Sequence, residues 1–172
     1  MSIDQTASRI VQATARYEAF LATLSDADFQ RNPAAGVWSY AEVYSHIFVA
    51  NLSSLLVLKK CIEGTAEEDN KSTHFAVWLI LFFGKFPPGK IKAPARIAAM
   101  VKKINPAEAQ QLMRNFSQRL QELVPQVSGA SSNQKAKHPR LGLLNARQWL
   151  RFIEIHTKHH EKQLYRIQKQ LG

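Results

Sequence analysis

The sequence predicts an all-α protein: a four-helix bundle with long crossover connections and one extra apolar helix. Three observations carry this. Long segments repeat apolar residues at helical rather than alternating spacing. Several open on residues that cap a helix, and the stretches between them are rich in Pro, Gly and polar residues. At 172 residues, 45% apolar and 21% charged, the chain can bury a full core and is expected to form a single domain over residues 1–172.

The first helix is expected from about Asp4 to Leu24, with Ile10, Tyr17, Phe20, Leu21 and Leu24 on its apolar side. Ser25 and Asp26 mark a break or a short second helix. NPAAGV, from Asn32 to Val37, is a Pro/Gly turn. The second long helix starts after Ser39, an N-cap whose capping box is completed by Glu42 three residues later. Val43, His46, Ile47, Ala50, Leu55 and Leu58 continue its pattern to about Ile62, and Gly64 is placed to end it. A polar loop, TAEEDNKST, then leads to FAVWLILFF, Phe75 to Phe83. That run is far short of the roughly 20 residues that a membrane span requires, so a buried helix or one covering a pocket mouth is expected.

GKFPPGKIKAPA cannot be a regular helix and reads as an excursion between bundle helices. The third bundle helix opens at Asn105-Pro106, N-cap then Pro at the first helical position. Leu112, Phe116, Leu120 and Leu123 form its stripe, and Pro125 lies at its end. VSGASSNQKAKHPRLG is read as loop. The last helix starts after Asn145, a further N-cap, and runs close to the C-terminus.

Charge and cysteine content bound the function. The net charge is +10, from 23 basic and 13 acidic residues, which favours anionic partners. Lys85, Lys90, Lys92, Arg96, Lys102 and Lys103 are concentrated in one stretch. A solvated basic face is its ordinary reading; an anionic small ligand or a membrane surface is the alternative. No helix-turn-helix, zinc-finger or RNA-recognition signature accompanies the charge, so nucleic acid is not an expected partner. The N-terminus lacks a basic region followed by an apolar core. The single cysteine, Cys61, rules out an internal disulfide and suits a reducing cytoplasm; its place on an apolar helical run marks it as a buried structural thiol.

The chemistry is concentrated in HTKHHEKQLYRI. At about 100° per residue, with His156 at 0°, His160 falls near 40°, Trp149 and Ile167 near 20°, and Gln163 near −20°. Lys158, Glu161 and Lys162 fall on the opposite side. His156 and His160 therefore lie one turn apart within the buried stripe. A divalent metal is the simplest reason for two imidazoles there, since neutral imidazole is the commonest protein metal ligand. A third ligand is required, and His46, on the apolar side of the second helix, is the obvious donor. His74 and His138 are weaker candidates that nothing places at the site. His159, near −60° by the same spacing, reads as a boundary residue. Gln163 is positioned to hydrogen-bond a ligand histidine or to satisfy a buried amide.

GVWSYAEVYSHIFVAN around His46, together with HPRLGLLNARQWLRFIEIHTKHHEKQLYRI at the end, resembles the DinB-like superfamily of metal-binding four-helix bundles. In that family a Trp-Ser segment opens the second helix, a histidine a few residues on is a ligand, and a His-x3-His pair on the last helix, followed by a Gln, supplies the other two. The resemblance carries these roles to Trp38-Ser39, His46, and His156 with His160. The doublet His159-His160, with His138-Pro139 and Leu144-Asn145 upstream, resembles a branch of that superfamily with no assigned chemistry. GKFPPGKIKAPA lies outside the minimal pattern, so pocket shape does not carry over. The resemblance implies nickel or zinc held by three histidines with open positions, and in some members transfer chemistry with low-molecular-weight thiols.

Three functions follow as expectations. In the first, the chain is a metal-dependent transferase or hydrolase acting on a small molecule, anionic or a thiol. Three neutral histidines leave the metal its full charge, able to lower the pKa of a bound water or thiol. Tyr44, Phe48, Asn51, Trp149 and Phe152 are near enough in sequence to line its pocket, although each also reads as core. Glu154 and Glu161 fall off the stripe and Glu42 is a cap, so no general base stands out, which weakens hydrolysis more than thiolate chemistry. In the second, the chain is a non-enzymatic metal-binding or interaction module whose basic surface meets an acidic partner; a closed four-ligand site, completed by His159 or His74, would mark it. In the third, the histidines are polar core without metal. Apolar residues between Phe75 and Phe86 could cover the pocket or form a homodimer contact.

Overall fold

The computed structural model describes residues 2–87 and 101–172. Helices α1 (Ile3–Leu21), α3 (Tyr40–Ile62), α5 (Pro106–Leu123) and α6 (Ala146–Leu171) form the bundle, with α2 (Asp26–Gln30) and α4 (Phe75–Phe83) in the connections. Four helix starts carry the reciprocal capping box: Ser2 with Gln5, Ser39 with Glu42, Asn105 with Glu108 and Asn145 with Gln148. Each satisfies backbone N–H groups that the first turn would otherwise leave without partners. The starts of α3, α5 and α6 are those expected from these caps. α1 ends at Leu21 rather than Leu24; residues 22–24 turn back on it, and the Ser25 side chain caps α2.

α3 packs most extensively on α6 and α5, and α1 packs on α6. The core lies between these helices and includes Ile10, Tyr17, Tyr44, Phe48, Met113, Phe116, Ile153 and Ile167. Tyr17, Tyr44 and Phe48 meet edge-on or tilted, at ring separations of 5.3–6.2 Å, a geometry that aromatic quadrupoles favour. Among the described residues α3 alone has the length and hydropathy of a membrane span, but it is the central helix of the bundle. Cys61 is buried on it, and its thiol faces the Leu144 carbonyl at 3.7 Å.

The stretch read as loop before the last helix is more ordered than expected. Val124–Gly129 forms a 3-10 turn, and β2 (Gln134–His138) and β3 (Gly142–Asn145) form a hairpin. Its register pairs Lys135 with Asn145 and His138 with Gly142. β1 (Glu67–Glu68), inside the polar loop after α3, adds antiparallel to β2. These strands are short and largely polar, so their sequence lacks the alternation by which a strand is recognised. Two tertiary anchors place the hairpin: Leu144 is buried in the core, and Trp149 Nε1 donates to the Ala136 carbonyl at 3.3 Å. Its turn is closed locally by the Arg140 and Leu141 N–H groups, which donate to His138 Nδ1. The bundle remains the dominant architecture, as expected.

α4 occupies the expected Phe75–Phe83 but is not a buried helix; of its nine residues only Val77 is buried. Lys90, Lys92 and Arg96 of the basic stretch, and GKFPPGKIKAPA from position 88 onward, lie outside the described residues.

Candidate metal centre

The crossing of α3 and α6 brings His46, His156 and His160 together. Each offers one ring nitrogen, and the three nitrogens lie within 4.8 Å of one another. Ring centroids are separated by 5.4 Å for His46–His156 and 4.7 Å for both His46–His160 and His156–His160. Each residue is only 9% exposed. Burial is the main reason that their imidazoles are held neutral: it lowers the pKa of His46 to about 4, that of His160 to about 3, and that of His156 well below the usual value. Neighbouring histidines push in the same direction. Neutral imidazole is the form that ligates a metal.

The outer ring nitrogens of the α6 pair are held by amides. His156 Nδ1 lies 3.1 Å from Asn51 Oδ1, and His160 Nδ1 lies 2.8 Å from Gln163 Oε1. The amide of Asn51 is fixed by the next link. Thr157 Oγ1 donates to the Ile153 carbonyl at 2.7 Å, so its lone pairs accept from Asn51 Nδ2 at 2.9 Å. The Asn51 oxygen must then face His156, whose Nδ1 carries the proton and whose Nε2 keeps its lone pair. Gln163 accepts from His160 in the same way. The donor set therefore suits a divalent metal: three neutral nitrogens, with the ring tautomers of the α6 pair fixed by hydrogen bonds.

The remaining candidates separate clearly. Phe152 stacks on His156 at 5.2 Å with a 17° interplanar angle, and Trp38 packs on His46 at 5.1 Å. Asn51 is a hydrogen-bond partner of the site rather than plain core. Trp149 is one ring removed, behind Phe152, while Tyr44 and Phe48 belong to the aromatic core with Tyr17. His159 stands at the margin, its ring against His160 at 5.2 Å and Phe86 at 5.3 Å. His138 lies behind Phe152, 4.4 Å ring to ring, with its Nδ1 occupied by the hairpin turn. His74 caps α4 instead of joining the cluster. Among the described residues no carboxylate joins the three histidines. Glu154 is buried on another side of α6, paired with Arg9, Arg151 and Lys158.

Two surface cavities lie apart from the three histidines. A hollow of about 600 Å³ runs along residues 32–38 and is bordered by Trp38, which links it to His46. An open groove of about 470 Å³ lies between α1 and α6.

The chain is a four-helix bundle in which three inward histidines from two helices could hold a metal ion, the way bundles build such sites from facing helices. Residues 9–164 match the model of the DinB superfamily, and the chain belongs to that superfamily. No curated protein matches the chain. Among solved structures it is similar to TT2238, a four-helix bundle protein, with a TM-score of 0.60 and 20% identity over 95% of this chain and 98% of that one. It is also similar to YfiT from Bacillus subtilis, described as a probable metal-dependent hydrolase with an unusual four-helix bundle topology: TM-score 0.66, 12% identity, 100% of this chain and 90% of that one. A third is a mycothiol-dependent maleylpyruvate isomerase, with a TM-score of 0.61 and 13% identity over 94% of this chain but 60% of the isomerase. At these identities the likeness establishes the fold.

Proposed function

We propose that this chain holds a divalent metal ion, zinc or nickel, on His46, His156 and His160, and uses it for transfer chemistry on a small molecule with a low-molecular-weight thiol as cosubstrate. The observation that carries this reading is the convergence of three buried, neutral imidazoles, two of them oriented by amide oxygens. A metal on three neutral nitrogens would keep its full positive charge and lower the pKa of a bound thiol or water.

The chain's own residues supply orientation and exclude water. Asn51 and Gln163 hold the protons of His156 and His160 on Nδ1. Phe152 and Trp38 cover the imidazoles on two sides. The hollow beside Trp38 offers space for the organic part of a substrate.

The lack of a carboxylate in the cluster among the described residues favours a thiol over water as nucleophile, because water attack ordinarily draws on a side-chain base. His159 stays outside the cluster, so the donor set is three rather than the four of a closed structural site, which favours chemistry over a purely structural metal. Hydrolysis is the second reading, supported by the likeness to YfiT along the whole chain.

The test is thiol consumption by zinc- or nickel-loaded protein with a panel of low-molecular-weight thiols, mycothiol among them, and small electrophiles. The expected result is metal-dependent consumption above background that is abolished by a chelator and by His46→Ala. Ester cleavage that needs metal but no thiol would instead establish the hydrolase. Background rates in both assays, with metal bound, would leave a non-enzymatic metal module.

A further inference from the structure

α4 is apolar at every position, yet the bundle leaves most of it uncovered. Phe75 is 69% exposed, Trp78 46%, Phe82 63% and Phe83 63%. These side chains form one ladder: Phe75 stacks on Trp78 at 6.0 Å, Trp78 on Phe82 at 4.9 Å, and Phe83 meets Phe82 edge-on at 5.2 Å. The helix is also held in place. Arg151 on α6 donates to the carbonyls of Leu81 and Phe82, the last turn of α4. An exposed aromatic face anchored to the bundle in this way marks an interaction surface.

The ladder ends at the basic groove. Phe83, Gly84 and Lys85 form one wall of the 470 Å³ cavity between α1 and α6. Six cations line it, Arg9, Arg16, Lys85, Arg151, Lys158 and Lys162, against the carboxylates of Glu154 and Glu161. Glu154 is shared by three of them and Glu161 by Arg16. A surplus of four positive charges remains, and among the described residues Lys85 and Lys162 have no carboxylate partner.

We propose that the exposed aromatic face of α4 and the adjoining cationic groove together dock the protein on a bilayer surface bearing anionic headgroups. The rings enter the interface, where aromatic side chains are favoured, and the groove takes the negative headgroups. The nine residues of α4 extend about 13 Å, against about 30 Å of hydrocarbon, so the helix lies on the membrane rather than crossing it. A second copy of the chain is a poorer occupant, because the four rings expose roughly 500 Å², below the roughly 800 Å² per partner of a stable interface.

The experiment is co-sedimentation of the full chain with phosphatidylcholine vesicles with and without phosphatidylserine, beside light scattering for oligomeric state. Wild type is compared with Trp78→Ser/Phe82→Ser and with Lys85→Glu/Lys162→Glu, whose substitutions fall on exposed positions or at the groove rim; unchanged circular dichroism and melting confirm folding. Wild type is expected to bind the phosphatidylserine vesicles at least tenfold more tightly than the neutral ones, and each double variant to lose at least tenfold. Equal binding to both vesicle types overturns the proposal, as does equal binding by the aromatic variant, no binding at all, or a wild-type dimer that the aromatic substitutions dissolve.

Discussion

Replacing Asn51 with Leu should weaken metal binding without touching a candidate ligand. Asn51 is fully buried and bridges two helices: Oδ1 accepts from His156 Nδ1 at 3.1 Å, and Nδ2 donates to Thr157 Oγ1 at 2.9 Å. Leucine nearly preserves the volume but accepts nothing. The His156 N–H is then left unsatisfied in a dry site, at a cost of about 1–3 kcal/mol, and the lost bond to Thr157 adds about 1 kcal/mol. The metal-free fold should therefore lose about 2–4 kcal/mol, read from urea denaturation. His156 also becomes free to rotate or change tautomer, so metal affinity should fall about 10–100-fold in a competition titration with a chromophoric chelator. Phe116→Leu is the control. Phe116 is fully buried on α5 against Phe48, so it should reduce stability while leaving affinity within about twofold. Wild-type affinity in Asn51→Leu would show that the hydrogen bond does not orient the imidazole. A matching loss in Phe116→Leu would trace the effect to loosened packing instead.

Three further outcomes follow. The metal-free protein should lose stability as pH falls from about 6.5 toward about 4, because the unfolded chain takes up protons that the buried, depressed imidazoles of His46 and His138 refuse until about pH 4, and that of His160 until about pH 3; urea midpoints in chelator that stay flat between pH 6.5 and 4.5 would contradict this. Gln163→Leu should reproduce the affinity loss of Asn51→Leu through His160, with a smaller effect on stability because Gln163 is only part-buried; the same titration checks it. Gly84→Ala should lower the melting temperature by about 2–8 °C, since Gly84 has φ +66° and a Cβ there would collide with the Arg151 guanidinium; an unchanged melt would show that α4 is not held to α6 as described.

The sequence revealed what depends on neighbours along one helix. The caps at Ser39, Asn105 and Asn145 and the angular spacing of His156 and His160 are local, so they were legible at once. His46 could be proposed as their partner because it lies on the apolar side of α3, although its distance from the pair is set by the helix crossing. Asn51 reads from sequence as a pocket-lining residue or core, but its bond to His156 is not legible, because its partners lie 105 and 106 residues away on α6. The hairpin was missed for a related reason. QKAKH and GLLN lack strand alternation and are ordered by contacts with Trp149, Cys61 and the core. The bounds of α4 are legible in sequence; of its two expected roles, buried helix or pocket-mouth cover, burial does not hold, because hydropathy records how apolar a helix is and not whether anything covers it. Glu154, read only as off the stripe, faces α1, where Arg9 meets it.

Elemental analysis of the untagged protein, with His156→Ala and His159→Ala beside it, tests the three-histidine site most directly. His156 belongs to the cluster, whereas His159 stands outside it, with its ring against Phe86. About one zinc or nickel per chain is expected, kept in His159→Ala and lost in His156→Ala. A wild type that takes up neither metal on incubation, or a His156→Ala protein that retains it, would rule out the three-histidine site and leave these residues as polar core.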